Sequence, residues 1–167
     1  MKNIFYIIVI FSLITYSCED FDEFALQDLP GYVAFNAPGE TSTVADANVD
    51  ENAGSVTFNI EAPTGTLSNI TVSFSFGGSA IFGTDFTVAS SSASGGTIIL
   101  DHDPSDVNDF DNVDLVITIL TDGIADGDKT LTITLADAVG ADGTIFAVGR
   151  GGTDISRVAT VNIADVD

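Results

Sequence analysis

The chain has few of the residues that would suggest a disulfide scaffold or an enzyme. It contains one cysteine, Cys18, one histidine, His102, and no tryptophan. A lone cysteine forms no internal disulfide, so a hydrophobic core must stabilise the fold. With no tryptophan and three tyrosines, a cleft that stacks sugars on aromatic rings is poorly supported. No nucleophile motif accompanies His102, so we expect a protein that is not an enzyme.

Basic residues are scarce as well. The chain has 4 lysines and arginines against 25 aspartates and glutamates, for a formal net charge of −21. All the acidic residues lie after Cys18, whereas one basic residue, Lys2, precedes it. Such a surface repels nucleic acids and anionic lipid head groups, so neither is expected as a partner. Dense like charge also destabilises a compact domain, and a divalent cation would relieve that repulsion.

The first segment of the chain has the pattern of an export signal. Lys2 is followed by an apolar run over residues 4–14, which is too short to span a membrane. Residues 1–17 are therefore predicted to be a signal peptide. Cys18 at its exit resembles the lipobox of bacterial lipoproteins, which implies acylation of the thiol and cleavage just before it. An ordinary secretory signal with an incidental cysteine is the alternative.

Acidic residues directly follow the cysteine, at positions 19, 20, 22 and 23. This cluster resembles the surface-export signal of lipoproteins in the Bacteroidetes group. The resemblance implies a protein anchored in the outer membrane through lipid on Cys18 and exposed at the cell surface. A solvated tether needs acidic residues for solubility too, and both interpretations can hold together. We expect residues 18–30 to form this acidic tether and residues 31–167 to form one domain.

Beyond residue 31, apolar residues recur with a period of two. The clearest runs cover residues 56–60, 70–76, 115–119, 131–135 and 159–163. Each run predicts a strand with one buried and one solvated face. Weaker strands are expected at residues 32–35, 86–89, 97–100 and 144–148, and no segment has a helical period. Many short strands separated by turn residues predict an all-β fold, an antiparallel Greek-key β-sandwich.

Acidic residues concentrate at the ends of these strands. They are Glu51, Asp85, Asp122, Asp126, Asp128, Asp165 and Asp167. Loops from several strands can together supply the six to eight oxygen ligands that Ca²⁺ takes. Zinc and copper prefer imidazole and thiolate, which the chain largely lacks. Aspartates also cap turns, so a purely structural role is the alternative.

Four fragments in order resemble the Calx-beta domain, a calcium-binding β-sandwich. They are Glu51 with residues 52–54, residues 77–86, residues 121–129 and residues 160–167. The resemblance extends from about Val33 to the end of the chain. It implies Ca²⁺ as the bound ion and six ligand positions, namely Glu51, Asp85, Asp122, Asp126, Asp165 and Asp167.

Three departures from the family pattern bear on metal binding. Lys129 stands where the family keeps a glutamate ligand, Thr121 replaces an aspartate, and Gly77 has lost an acid. The lysine removes one negative ligand and adds a repelling charge. The resemblance therefore implies fewer ions or weaker binding, with a Kd on the order of 0.1–1 mM as in extracellular modules.

A second acidic stretch covers residues 101–111 and contains His102. Its spacing does not fit a calcium-binding EF-hand, because Asp106 and Asn112 occupy positions that need glycine and glutamate. We expect a solvated loop with an exposed His102. A second, weak cation site is the alternative.

Together these patterns predict a surface lipoprotein whose calcium-binding, Calx-beta-like sandwich acts as an adhesion or interaction module. Its partner would be a surface protein or a glycan. The alternative is a metal-free structural or glycan-binding accessory lipoprotein of an outer-membrane uptake system.

Overall fold

A computed structural model describes residues 31–36, 46–62, 67–105, 111–121 and 123–167. The predicted signal peptide, Cys18 and the acidic tether lie outside these ranges. A membrane-spanning helix is absent from the described part of the chain. The strands in it are β1 (Tyr32–Phe35), β2 (Asp46–Asp50), β3 (Ser55–Ala62), β4 (Ile70–Gly78), β5 (Phe86–Val88), β6 (Ser91–Ser92), β7 (Gly95–Leu100), β8 (Asp111–Ile119), β9 (Lys129–Gly140), β10 (Ile145–Val148) and β11 (Val158–Ala164).

The strands form two layers around one core. The first layer has the order β1-β3-β8-β5, and the second has the order β2-β11-β9-β4-β7-β6. Strand β10 pairs with β9 beyond the end of β11 and with β1, so it links the edges of the two layers. The connections from β3 to β4 and from β8 to β9 are among those that cross between the layers. Because β3 pairs with β8 and β4 with β9, the two crossings give the interlocked arrangement of a Greek-key sandwich.

The predicted all-β sandwich is thus confirmed, with one refinement of its pairing. Most neighbouring strands are antiparallel, but β1 pairs in parallel with β10 and β2 pairs in parallel with β11. The sheet is therefore mixed. Both parallel pairs involve a short N-terminal strand, β1 or β2. Each of these strands lies at the edge of its layer.

The core consists of the alternating apolar residues that the sequence predicted. Ile60 on β3, Ile117 on β8 and Ile133 on β9 are fully buried between the layers. A register shift in the β4–β9 pair places Phe74 opposite Leu135 but Ser73 opposite Asp137, so one extra residue bulges from β9. The bulge changes the phase of the alternation, and Ala138 becomes a buried residue after it.

Strand β2 was missed by the sequence analysis. Its Asp46, Asn48 and Asp50 belong to residue types that are uncommon in strands, and only Ala47 and Val49 are apolar. It forms because β11 supplies a parallel partner over five residue pairs. This pairing fixes the position of Glu51, which directly follows β2 in the chain.

A cluster of phenylalanines supports the loop that precedes β5. The ring of Phe76 lies 5.0 Å from that of Phe86 and 5.9 Å from that of Phe82. The rings of Phe82 and Phe86 contact each other edge to face, with centroids 5.6 Å apart. Phe82 and Phe86 lie on either side of Asp85 in the sequence, so this aromatic packing fixes the backbone that carries its carboxylate.

The expectation of an exposed His102 was wrong. Its side chain is only 23% exposed, and Nδ1 lies 3.1 Å from Oδ2 of Asp111 at the start of β8. The backbone N–H of His102 also donates to Asn69 Oδ1 at 2.9 Å. These contacts hold the ring against the end of the sheet. In an isolated loop the ring would lie in solvent.

A pair of neighbouring substitutions on β8 tests the assignment of its two faces. Ile117→Ala should lower the free energy of unfolding by about 2–5 kcal/mol, because it leaves a cavity in the core. Val116→Ala should change it by no more than about 0.5 kcal/mol, because Val116 is exposed. Urea unfolding of both variants measures the difference, and similar losses would contradict the register of β8.

Candidate metal centre

Acidic residues from four connections meet at one end of the sandwich. Glu51 directly follows β2, Asp85 directly precedes β5, Asp126 lies shortly before β9 and Asp165 directly follows β11. All four line a small cavity of about 10 Å³. That volume is close to the minimum that holds one water-sized particle. The strand ends thus create a site for a single small occupant.

Three carboxylates converge more closely than the rest. One oxygen each from Glu51, Asp165 and Asp167 lies within 4.8 Å of the others. Ca²⁺ binds its oxygen ligands at 2.3–2.6 Å, so ligands on opposite sides of the ion are about 5 Å apart. Glu51 is 8% exposed and its Oε1 is buried. The spacing and the donor type therefore fit a calcium ion.

Backbone donors keep Asp165 ionised. The N–H of Gly127 donates to Oδ2 at 2.6 Å and the N–H of Asp167 donates to Oδ1 at 3.1 Å. These hydrogen bonds, Gly127 first, hold the pKa of Asp165 below its usual value, and the nearby Lys129 charge adds a smaller lowering. The carboxylate is charged at neutral pH and available to a cation.

Glu51 is fixed through its backbone by two elements. Its N–H donates to the carbonyl of Ala164 at the end of β11, at 3.0 Å. Its own carbonyl accepts from Thr121 Oγ1 at 3.0 Å. Thr121, which replaces an acid of the Calx-beta pattern, therefore acts as a positioning residue that ties the loop after β8 to Glu51.

Asp85 lines the cavity but also closes its own turn. It is 8% exposed, and its Oδ2 accepts the N–H of Ile81 at 2.5 Å. Its backbone carbonyl accepts the N–H of Leu120 at 2.9 Å. The carboxylate thus combines the turn role that the sequence left open with a place in the wall of the site.

Lys129 brings a positive charge into the same cavity. Its Nζ lies 2.9 Å from Oδ2 of Asp126 and 3.3 Å from the Asp126 carbonyl oxygen. The lysine also lines the cavity together with Asp165. The ammonium therefore offsets one carboxylate at a position where the Calx-beta pattern would place a ligand.

The six predicted metal ligands thus have different positions in the structure. Glu51, Asp165 and Asp167 converge, Asp85 and Asp126 line the adjoining cavity, and Asp122 lies outside the described residues. Asp128 belongs to the strand-end acids of the sequence but not to the six predicted ligands, and its Oδ1 accepts the N–H of Asp165 at 3.1 Å. In the sequence, its position after Asp126 and Gly127 in an acidic turn is the feature that could have indicated this role.

Removing the Thr121 hydroxyl tests its positioning role. Thr121→Val should lower the free energy of unfolding by about 1 kcal/mol in chelator, because the Glu51 carbonyl loses its side-chain donor. Thr118→Val is the matched control, since Thr118 is an exposed β8 residue. Thermal and urea unfolding measure both, and equal stabilities would contradict the role of Thr121.

Comparison with known proteins identifies the fold. No protein-family model matches the chain, and no curated protein does. Among solved structures, the apo form of the Calx CBD1 domain has a TM-score of 0.57 at 21% identity, covering 83% of this chain and 99% of that one. The Calx CBD2 domain has a TM-score of 0.56 at 12% identity, covering 81% and 87%. The calcium-binding domain CBD12 of CALX1.1 has a TM-score of 0.51 at 23% identity, covering 73% and 42%. The described domain has the Calx-beta fold.

Proposed function

We propose that this protein is a calcium-binding β-sandwich module that acts by binding a partner and not by catalysis. The observation that supports it most directly is the convergence of Glu51, Asp165 and Asp167 within 4.8 Å at the loop end of the sandwich. A structurally similar protein is itself described as a calcium-binding domain.

The donor chemistry favours calcium over other metals. The converging side chains offer carboxylate oxygens only, which suits a hard cation. Mg²⁺ demands near-ideal octahedral geometry at 2.0–2.1 Å and keeps much of its water, whereas Ca²⁺ accepts irregular sets of ligands from separate loops. Water and backbone carbonyls would complete a calcium coordination sphere built on these three residues.

A bound ion would join two parallel strands at their ends. Glu51 follows β2, and Asp165 and Asp167 follow β11, its parallel neighbour. A cation shared by these carboxylates relieves their repulsion and fixes the edge strand β2 to the rest of the layer. Calcium would thereby stiffen this end of the sandwich for a partner.

Calcium binding can be measured through stability. Adding Ca²⁺ to about 10 mM should raise the free energy of unfolding by about 1 kcal/mol or more if the Kd is near 1 mM, because only the folded state holds the carboxylates together. Calorimetric melting with calcium and with chelator measures the effect. Equal melting temperatures under the two conditions would overturn the proposal.

Lys129 is expected to limit the affinity. Lys129→Glu should tighten calcium binding about tenfold or more, because it frees Asp126 and adds a negative group at the cavity. Arg157→Glu is the matched control, since Arg157 also forms an i,i+3 pair with an aspartate, Asp154, and causes the same change in net charge.

The control residue is remote from the cation site. Arg157 Nε donates to the carbonyl of Leu135 on β9, about 20 Å along the strand from Lys129. Isothermal titration with calcium compares the two variants. Equal tightening in both would mean that overall charge, and not the lysine at the site, sets the affinity.

We further propose that lipid on Cys18 anchors this module in the outer membrane, facing outward. The apolar segment before Cys18 and the acidic residues after it support this location. A loose calcium site also suits the outside of a cell, where calcium is more abundant than in cytoplasm. There the module would contact a surface protein or a glycan.

Lipidation is testable in cells. The protein should incorporate labelled palmitate and sediment with membranes, whereas Cys18→Ser should abolish both, because the thiol is the acceptor. Ser17→Ala, the neighbouring control, should retain both. Protease added to intact cells then tests surface exposure. Membrane association of Cys18→Ser equal to that of the unmodified chain would contradict the anchor.

A further inference from the structure

A groove runs along the outer face of the second layer, beside the cation site. Its volume is about 750 Å³, within the range of small-molecule sites. Its polar lining residues are Asn48 and Asp50 on β2, Asn162 on β11, Asp128 just before β9, and Lys129 and Thr130 at the start of β9. The groove is thus built from three adjacent strands of one sheet.

Two asparagines form its central feature. Asn48 and Asn162 are direct partners in the parallel β2–β11 register, and Asn162 Nδ2 donates to Asn48 Oδ1 at 3.0 Å. That bond leaves the Nδ2 donor of Asn48 and the Oδ1 acceptor of Asn162 without a partner among the described residues, and both side chains are exposed. A fixed donor beside a fixed acceptor matches two neighbouring hydroxyl groups, each of which donates and accepts.

Charges at one end of the groove restrict the ligand further. Asp50 and Asp128 are exposed carboxylates there, and one oxygen of Asp128 already accepts the N–H of Asp165. Carboxylates accept hydrogen bonds from hydroxyl groups and repel anions. Lys129 also lines the groove, but its ammonium is bonded to Asp126. Because that pair offsets the lysine charge, the Asp50 and Asp128 carboxylates set the local charge and exclude an anionic ligand.

Apolar groups complete the lining. Ala53 and Ala164 contribute methyl groups beside the polar side chains. The lining therefore favours a ligand that is not anionic, is rich in hydroxyl groups and is partly apolar on one face. A pyranose ring has all three properties, because its C–H bonds group together on a face while its hydroxyls project from the rim.

We infer that this groove binds a neutral saccharide. The amide pair recognises adjacent hydroxyls, the Asp50 and Asp128 carboxylates accept further hydroxyl donors, and the methyl groups cover the ring. The inference goes beyond the proposed calcium site, because none of these contacts passes through a cation. The β2–β11 pairing and the hydrogen bond between the two side chains position the groove's amides.

Titration of the purified protein with maltotriose, mannotriose and galactotriose tests the inference. At least one should bind saturably in isothermal titration, and it should still bind in chelator. Absence of binding to all three would overturn the saccharide assignment without touching the calcium proposal, which melting in calcium tests separately. Preferential binding of trilysine, the cationic probe, would also overturn it.

Matched asparagine variants locate the site. Asn48→Ala should weaken saccharide binding about tenfold, because it removes one direct hydrogen bond and releases Asn162. Asn112→Ala should leave the affinity unchanged, since Asn112 accepts an equivalent bond from Asn59 Nδ2 at 3.0 Å on the other layer. Unchanged melting temperatures would show that both variants fold. Equal affinities of the two variants would place the ligand outside the groove and overturn the inference.

Discussion

The parallel pairing of β2 with β11 is the constraint on which the end of the sandwich that carries the candidate metal centre depends. Five residue pairs bind the two strands, and the N–H of Glu51 continues the ladder by donating to Ala164 at 3.0 Å. Because the strands run in the same direction, the residues that follow them emerge at the same edge. Glu51 and Asp165 therefore become neighbours although 114 positions separate strand partners such as Asn48 and Asn162. An antiparallel partner would have sent one of the two carboxylates to the opposite end of the domain.

Such proximity carries an electrostatic cost that the chain offsets internally. The N–H groups of Gly127 and Asp167 solvate Asp165 and keep its pKa low, and the ammonium of Lys129 balances Asp126. Thr121 adds a neutral hydrogen bond to the Glu51 backbone in place of a further carboxylate. Protein donors thus do part of the work that a cation would otherwise do alone. We therefore expect the site to keep its shape without metal and to gain less stability from metal than a site built of carboxylates alone.

The sequence predicted the parts of the fold that depend on local alternation. The inward faces of β3, β4, β8, β9 and β11 followed from apolar residues at every second position, because each face is buried by the opposite layer. Strand β2 could not be predicted in this manner, since its own residues favour a loop and its stability comes from β11. His102 was misplaced for a similar reason, because the position of its partner Asp111 depends on the sheet. The order of acidic fragments indicated which residues gather at one end, but only the folded backbone shows that Lys129 pairs with Asp126.

The same ladder also explains why the cation site and the groove are separable. The Asn48–Asn162 pair lies within the β2–β11 ladder, whereas Glu51 and Asp165 lie just beyond its end. Backbone pairing on both sides holds the amides in place whether or not a cation joins the carboxylates. A cation can stiffen the strand ends, but it adds no donor or acceptor to the groove. Asp128 is the one acidic side chain that contacts both regions, through the Asp165 N–H on one side and the groove on the other. Energetic coupling between the two sites would pass through the segment from Asp128 to Thr130 and through the ends of β2 and β11, where Asp50 and Ala164 line the groove next to Glu51 and Asp165.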